Sequence, residues 1–179
     1  MKLAVQEQAP NFIFHTVYSQ NQDFYAALQK PYNILYFSRY IGCSLCQLNL
    51  MKLAKEYETL SAANIEVFFI IQSTEENAKQ RLEEMNVRFP VILDPEEKLY
   101  QLYGVEAAPE KIRPPEVVQQ VEEARSLGIE HGVFEGNELQ LPATFILDAK
   151  ATIVYAHYGS NSADVPNSNE LLAWLSSNT

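Results

Sequence analysis

Cysteine, tryptophan, glycine and positive charge are all scarce in this sequence. Two cysteines in 179 residues are too few for a secreted disulfide scaffold. Thirteen Lys and Arg stand against 23 Asp and Glu, a net charge of −10. That balance argues against a phosphate-binding surface, and so against nucleic acid as a partner. It also disfavours docking on anionic membranes. Long apolar runs are missing too: the stretches around NILYFS and VFFII are far too short to span a bilayer. The opening MKLAVQEQAP has no apolar signal-peptide core, so a cytoplasmic protein is expected. Gly-Lys-Ser/Thr, Gly-x-Gly-x-x-Gly and Gly-x-Ser-x-Gly motifs are absent, as are internal repeats.

What is present is a core. Hydrophobic residues make up 47% of the chain, enough for one domain spanning 1–179 without disulfide staples. Alternation of Phe12 and Phe14 with polar neighbours predicts a strand over 11–17, and 22–28 could form one or two helical turns. Apolar runs predict buried strands over 33–37 and 65–71. A helical pattern joins them from Ser44 to about Ala62. Ser73 or Thr74 should cap a further helix reaching Asn86. A short strand over 90–93 and a short helix from Asp94 to Gly104 follow. Two strands, 144–148 and 152–158, flank a hairpin turn, and a helix over 169–175 closes the chain. This order predicts an α/β fold with a central mixed sheet flanked by helices.

Residues 107–140 break the rhythm with three prolines and three glycines. They read as an insertion packed on the domain, with a helix over 116–127 beginning on proline. Val117, Val118, Val121 and Leu127 form a stripe that needs cover, either from this domain or from a second copy in a homodimer.

The chemistry concentrates at Gly42-Cys43-Ser44-Leu45-Cys46, between a buried strand and a long helix. Unpaired N–H groups at a helix N-terminus stabilise a thiolate and lower its pKa. Cys43 is expected at the N-cap with its sulfur exposed. Cys46, three residues on, can point to the same place and close a disulfide. Two buried cysteines serving as small hydrophobes is the plainer alternative. A zinc site would need about four ligands. No second cysteine pair exists, and His15, His131 and His157 are scattered, so neither metal nor cofactor is expected. Arg39 lies four residues before Cys43. It is either an exposed strand-end residue or a cation that favours the thiolate. Tyr36 and Tyr40 could donate hydroxyl hydrogen bonds, although Tyr36 has a core pattern. Pro142, directly before the strand at 144, is either an ordinary strand-start proline or a cis proline facing the cysteines.

With those residues in place, the chain resembles the AhpC/TSA-type peroxiredoxin-like proteins of the thioredoxin-like superfamily. The likeness runs through Ala9-Pro10-Asn11-Phe12, LYFSRYIGCSLC, EVFFIIQ, FPVILDPEEKLYQLYGV and LPATFILDAKATIVYAHYG. It implies a thioredoxin-like fold, with Cys43 at the reactive position and Pro142 at the cis-proline position. It also implies reduction of a hydroperoxide by Cys43, condensation of the sulfenic acid with Cys46, and recovery by an external thiol reductant such as a thioredoxin-like donor. The site departs from the family pattern. Typical peroxiredoxins carry Pro and Thr or Ser where this chain has Tyr36 and Tyr40, and their active-site arginine falls at Pro142. Disulfide exchange through a mixed disulfide at Cys43, or a non-catalytic redox-sensing domain, are the other readings the pair allows.

Overall fold

The computed structural model describes residues 1–178. Its main sheet contains β3 (Tyr32–Phe37), β4 (Ile65–Ile71), β5 (Val91–Leu93), β6 (Ala143–Asp148) and β7 (Ile153–Tyr158), in the order β5-β4-β3-β6-β7. β3 pairs parallel with β4 and antiparallel with β6, which makes the sheet mixed. The 11–17 region forms only the two-residue β1 (Ile13–Phe14), paired with β2 (Gln22–Asp23). Beyond Phe14, His15 instead gives its carbonyl to Leu93 N, so this stretch serves as a collar on the sheet.

β3 is buried on both faces, which is why it reads as a run of apolar residues rather than an alternation. Successive side chains still point to opposite sides. Leu35 and Phe37 join one core with Phe68, Ile70 and Phe145. Ile34 and Tyr36 join the other with Val67, Phe69 and Ile146. Each such side chain contributes roughly 1.5–3 kcal/mol of burial free energy.

The predicted helices follow closely. α1 (Phe24–Ala27) is capped by Asp23, and α2 spans Ser44–Ala62. α3 (Glu75–Glu84) has Thr74 as N-cap and Glu75 and Glu76 at its positive end. α4 (Lys98–Leu102) begins later than expected because the Asp94 carboxylate reaches forward to the N–H groups of Lys98 and Leu99. α5 (Pro115–Ser126) carries Pro115 in its first turn, and α6 (Ser168–Asn178) ends the described chain.

The 107–140 segment is pinched at its base. Ala107 bridges Gln140, and Ala108 N donates to Leu139 O at 2.8 Å. Buried Gln140 sits in this neck. Its amide donates to the carbonyls of Val105, Glu106 and Leu141, while its Oε1 accepts from Gln72 Nε2 at 3.1 Å. α5 lies against α2. Val117 is buried and Val121 partly so, but Val118 and Leu127 face outward. Half of the predicted stripe therefore covers this domain, and the other half stays on the surface.

Candidate active site

The site lies where β3 ends and α2 begins. Pairing of Phe37 with Ala143 brings the start of β6 beside that end. Cys43 is the N-cap of α2, and its Sγ accepts from Cys46 N at 3.4 Å. Arg39 Nη2 donates to the same sulfur at 3.0 Å, so the arginine is the cation beside the thiol and not a free strand-end charge. Its other amino group, Nη1, donates to Glu138 O at 2.8 Å.

The expected exposed sulfur is corrected: Cys43 is 1% exposed and Cys46 6%. Tyr40, Leu45, Val117 and Ala163 pack around the pair, so α5 supplies cover that the local sequence does not reveal. Cys43 still reaches the wall of a cavity of about 790 Å³, whereas Cys46 does not. Other walls come from the 107–140 segment, including Ile112, Val118 and Phe134.

The cis proline is also corrected. No cis peptide bond occurs among the described residues, so Leu141–Pro142 is trans, the isomer an X–Pro bond ordinarily prefers. Pro142 is buried, its carbonyl accepts from Gly159 N at 2.9 Å, and Gly159 leaves no room for a β-carbon against its ring. Leu141, not Pro142, lines the cavity.

Electrostatically the two thiols behave as one unit. Burial pushes the Cys43 thiol up, and its neighbour Cys46 adds to this by hydrogen bond and charge. Burial works against the Cys46 thiolate too. There the Cys43 hydrogen bond, the Arg39 charge and the Ser38 hydroxyl prevail, bringing it to about 6. The first proton therefore leaves the pair easily and the second with difficulty. The single negative charge lies between two sulfurs, under one guanidinium.

Sequence reasoning reached Cys43, Cys46 and Arg39 but not the residues that the 107–140 segment brings to them. Tyr40 is fully buried, and its hydroxyl donates to Glu138 Oε1 and meets His131 Nε2 at 3.1 Å. Gly132 N donates to Gly42 O at 2.8 Å. Gln47, on α2, donates to both Gly42 O and Glu130 O. The one hint in the sequence was that this segment returns immediately before Pro142.

A family model described as AhpC/TSA matches residues 5–156. The chain belongs to the AhpC/TSA family. Solved structures agree on the fold. A yeast mitochondrial 1-Cys peroxiredoxin shares 17% identity at a TM-score of 0.71, over 97% of this chain and 75% of that one. AhpC from Enterococcus faecalis shares 17% at 0.70, over 99% and 93%. Peroxidoxin BcpB from Mycobacterium tuberculosis shares 12% at 0.71, over 97% and 96%. No curated protein matches the chain. Family and fold together make this an AhpC/TSA-family protein with a thioredoxin-like fold of the peroxiredoxin type. Among the described residues, no helix is long and apolar enough to cross a membrane.

Proposed function

We propose that the protein reduces hydroperoxides through a Cys43–Cys46 dithiol cycle within a single domain capped by residues 107–140. The carrying observation is that Cys43 Sγ reaches the cavity wall, receives the Arg39 guanidinium at 3.0 Å and has Cys46 three residues away. Cys43 hands its proton to Cys46 and attacks one oxygen of ROOH. An S–O bond forms as the O–O bond breaks, and RO⁻ leaves and is protonated to ROH. Cys46 then releases that proton and attacks the Cys43 sulfenic acid; the S–S bond forms as the S–O bond breaks, and the departing hydroxide takes the proton to become water. Two electrons from an external dithiol of thioredoxin-like type restore the pair. Arg39 stabilises the thiolate and the developing charge on oxygen. Pro142 backs the loop from behind and does not touch substrate. A reducing compartment such as the cytoplasm fits this cycle.

The test is stopped-flow oxidation of the reduced protein by hydrogen peroxide, an organic hydroperoxide and a model disulfide. The expected result is a peroxide rate above that of free cysteine, slower than in peroxiredoxins that carry Thr or Ser where this chain has Tyr40. A Cys43–Cys46 disulfide should then be found by mass spectrometry. Cys43→Ser should abolish both the peroxide reaction and iodoacetamide labelling at neutral pH. Loss of labelling in Cys46→Ser alone would reverse the roles of the two sulfurs. Rapid disulfide exchange with no peroxide rate above free thiol would move the protein to the exchange class.

A further inference from the structure

The cavity beside Cys43 is far larger than the smallest peroxide needs. Its volume of about 790 Å³ falls among sites that take drug-sized molecules, about 300–1,000 Å³. Hydrogen peroxide is roughly the size of two waters, and a water has about 30 Å³ in the liquid. It would leave most of this space to solvent.

The walls are apolar where the 107–140 segment builds them. Val117 and Val121 pack inward against the cysteine cluster and also line the cavity. Ile112, Val118 and Phe134 line it too, yet they are 40%, 45% and 70% exposed. From residue 26 to 178, Leu102 is the only large hydrophobic outside this segment with comparable exposure. Exposed apolar surface gathered in one place marks a binding site, whereas single exposed side chains do not. Charge does not choose the occupant. The wall holds four Lys or Arg and four Glu, so its charges cancel, in a chain of net charge −10. The sulfur is approached narrowly: Cys43 is 1% exposed, and Arg39 Nη2 sits on it at 3.0 Å.

We propose that residues 107–140 set substrate choice, with Ile112, Val118 and Phe134 seating the organic group of a bulky apolar hydroperoxide in preference to hydrogen peroxide. This rests on the peroxidase reading above. The bonds made and broken are those of that cycle; only R is specified further. The terminal oxygen of ROOH is small enough for the narrow approach to Sγ, and R stays among the apolar side chains of the wider cavity. Seating R takes apolar surface of both partners out of water. One methylene in such a pocket changes kcat/KM by about 10–200-fold.

The experiment compares two oxidants. Single-turnover oxidation of Cys43 is measured with cumene hydroperoxide and with hydrogen peroxide, each rate divided by that of free cysteine with the same oxidant. The wild-type ratio of the cumene value to the hydrogen peroxide value should exceed about tenfold. Val118→Asn and Phe134→Asn should each lower that ratio about threefold or more, and together bring it near one. Leu127→Asn, exposed on the same segment but off the cavity, should keep it. Cumyl alcohol, the unreactive product, should slow iodoacetamide labelling of Cys43 in wild type and not in the double variant. A wild-type ratio near one, or a ratio that survives both substitutions, overturns the proposal; the peroxidase reading stands if hydrogen peroxide still outpaces free cysteine. Neither oxidant outpacing free cysteine overturns both. Sedimentation velocity checks the other occupant: a dimer lost in Val118→Asn gives this face to a second copy and overturns the proposal. The replaced side chains are all on the surface, so the variants are expected to fold.

Discussion

Gly42 and Val133 are in backbone contact: a β-carbon on Gly42 would lie 2.1 Å from Val133 O. The residue preceding the reactive cysteine therefore has to be glycine for the 107–140 segment to lie where it does. Gly42→Ala should force the two apart, costing about 1–3 kcal/mol as other overpacked contacts do. Urea unfolding measures that loss. The same variant should be labelled faster at Cys43 by a bulky maleimide, because the segment is lifted from the site. Unchanged stability and unchanged labelling would show that the contact relaxes without cost.

Arg39 is the only cation whose hydrogen bond reaches the Cys43 sulfur among the described residues. Arg39→Ala should raise the first ionisation of the thiol pair by about 1–3 pH units, the effect of an opposite charge at this range. Titration of thiolate ultraviolet absorbance reads this directly. Arg39→Lys should restore only part of the shift, because an ammonium cannot span Cys43 Sγ and Glu138 O with a planar fork. A titration curve unmoved by Arg39→Ala would contradict the assignment.

The thiols also set a stability profile with pH. Cys46 is held down to about 6 in the folded protein, while an unfolded cysteine ionises near about 8.5. Between these values the unfolded chain binds a proton that the native state lacks, so stability rises with pH across that window. Above about 8.5 the sign reverses, because the unfolded chain releases the Cys43 proton that burial makes the native state keep. Urea midpoints under reducing conditions should therefore peak near this crossover. In Cys46→Ser the rise from about pH 6 should disappear; parallel curves for the two proteins would refute the linkage.

Gln140 ties the neck of the 107–140 segment by four hydrogen bonds. Gln140→Leu conserves volume but strands the Val105 carbonyl and the Gln72 amide. Leaving one such group unpaired costs about 1–3 kcal/mol. Hydrogen exchange should accelerate across 107–140 before it changes in β3 and β4, since the neck opens locally. Uniform acceleration through the whole sheet would mean that the neck belongs to the global folding unit.

The sheet and helices were legible because each carried its own signal. Tyr32–Phe37 and Ile65–Ile71 are apolar runs of strand length, Thr74 caps its helix, and Pro115 opens another. The cysteine pair was legible for the same reason: capping and spacing are local. Glu138 was not, because it meets Arg39 across 99 positions of sequence, and its partner atom there is a backbone oxygen that any residue possesses. The burial of Cys43 was hidden too, since Val117 and Ala163, which cover it, belong to distant segments. The cis expectation at Pro142 rested on its place before a strand and on likeness, whereas Gly159, which packs against the proline, was invisible locally.

The N-cap of α2 is the sulfur of Cys43, accepting from Cys46 N. A thiolate accepts that hydrogen bond well, and a sulfur bonded to oxygen or to a second sulfur accepts it less well. The helix start thus becomes an internal reporter of oxidation state. One backbone amide, that of Cys46, would follow each step of turnover by its chemical shift, without label or cofactor.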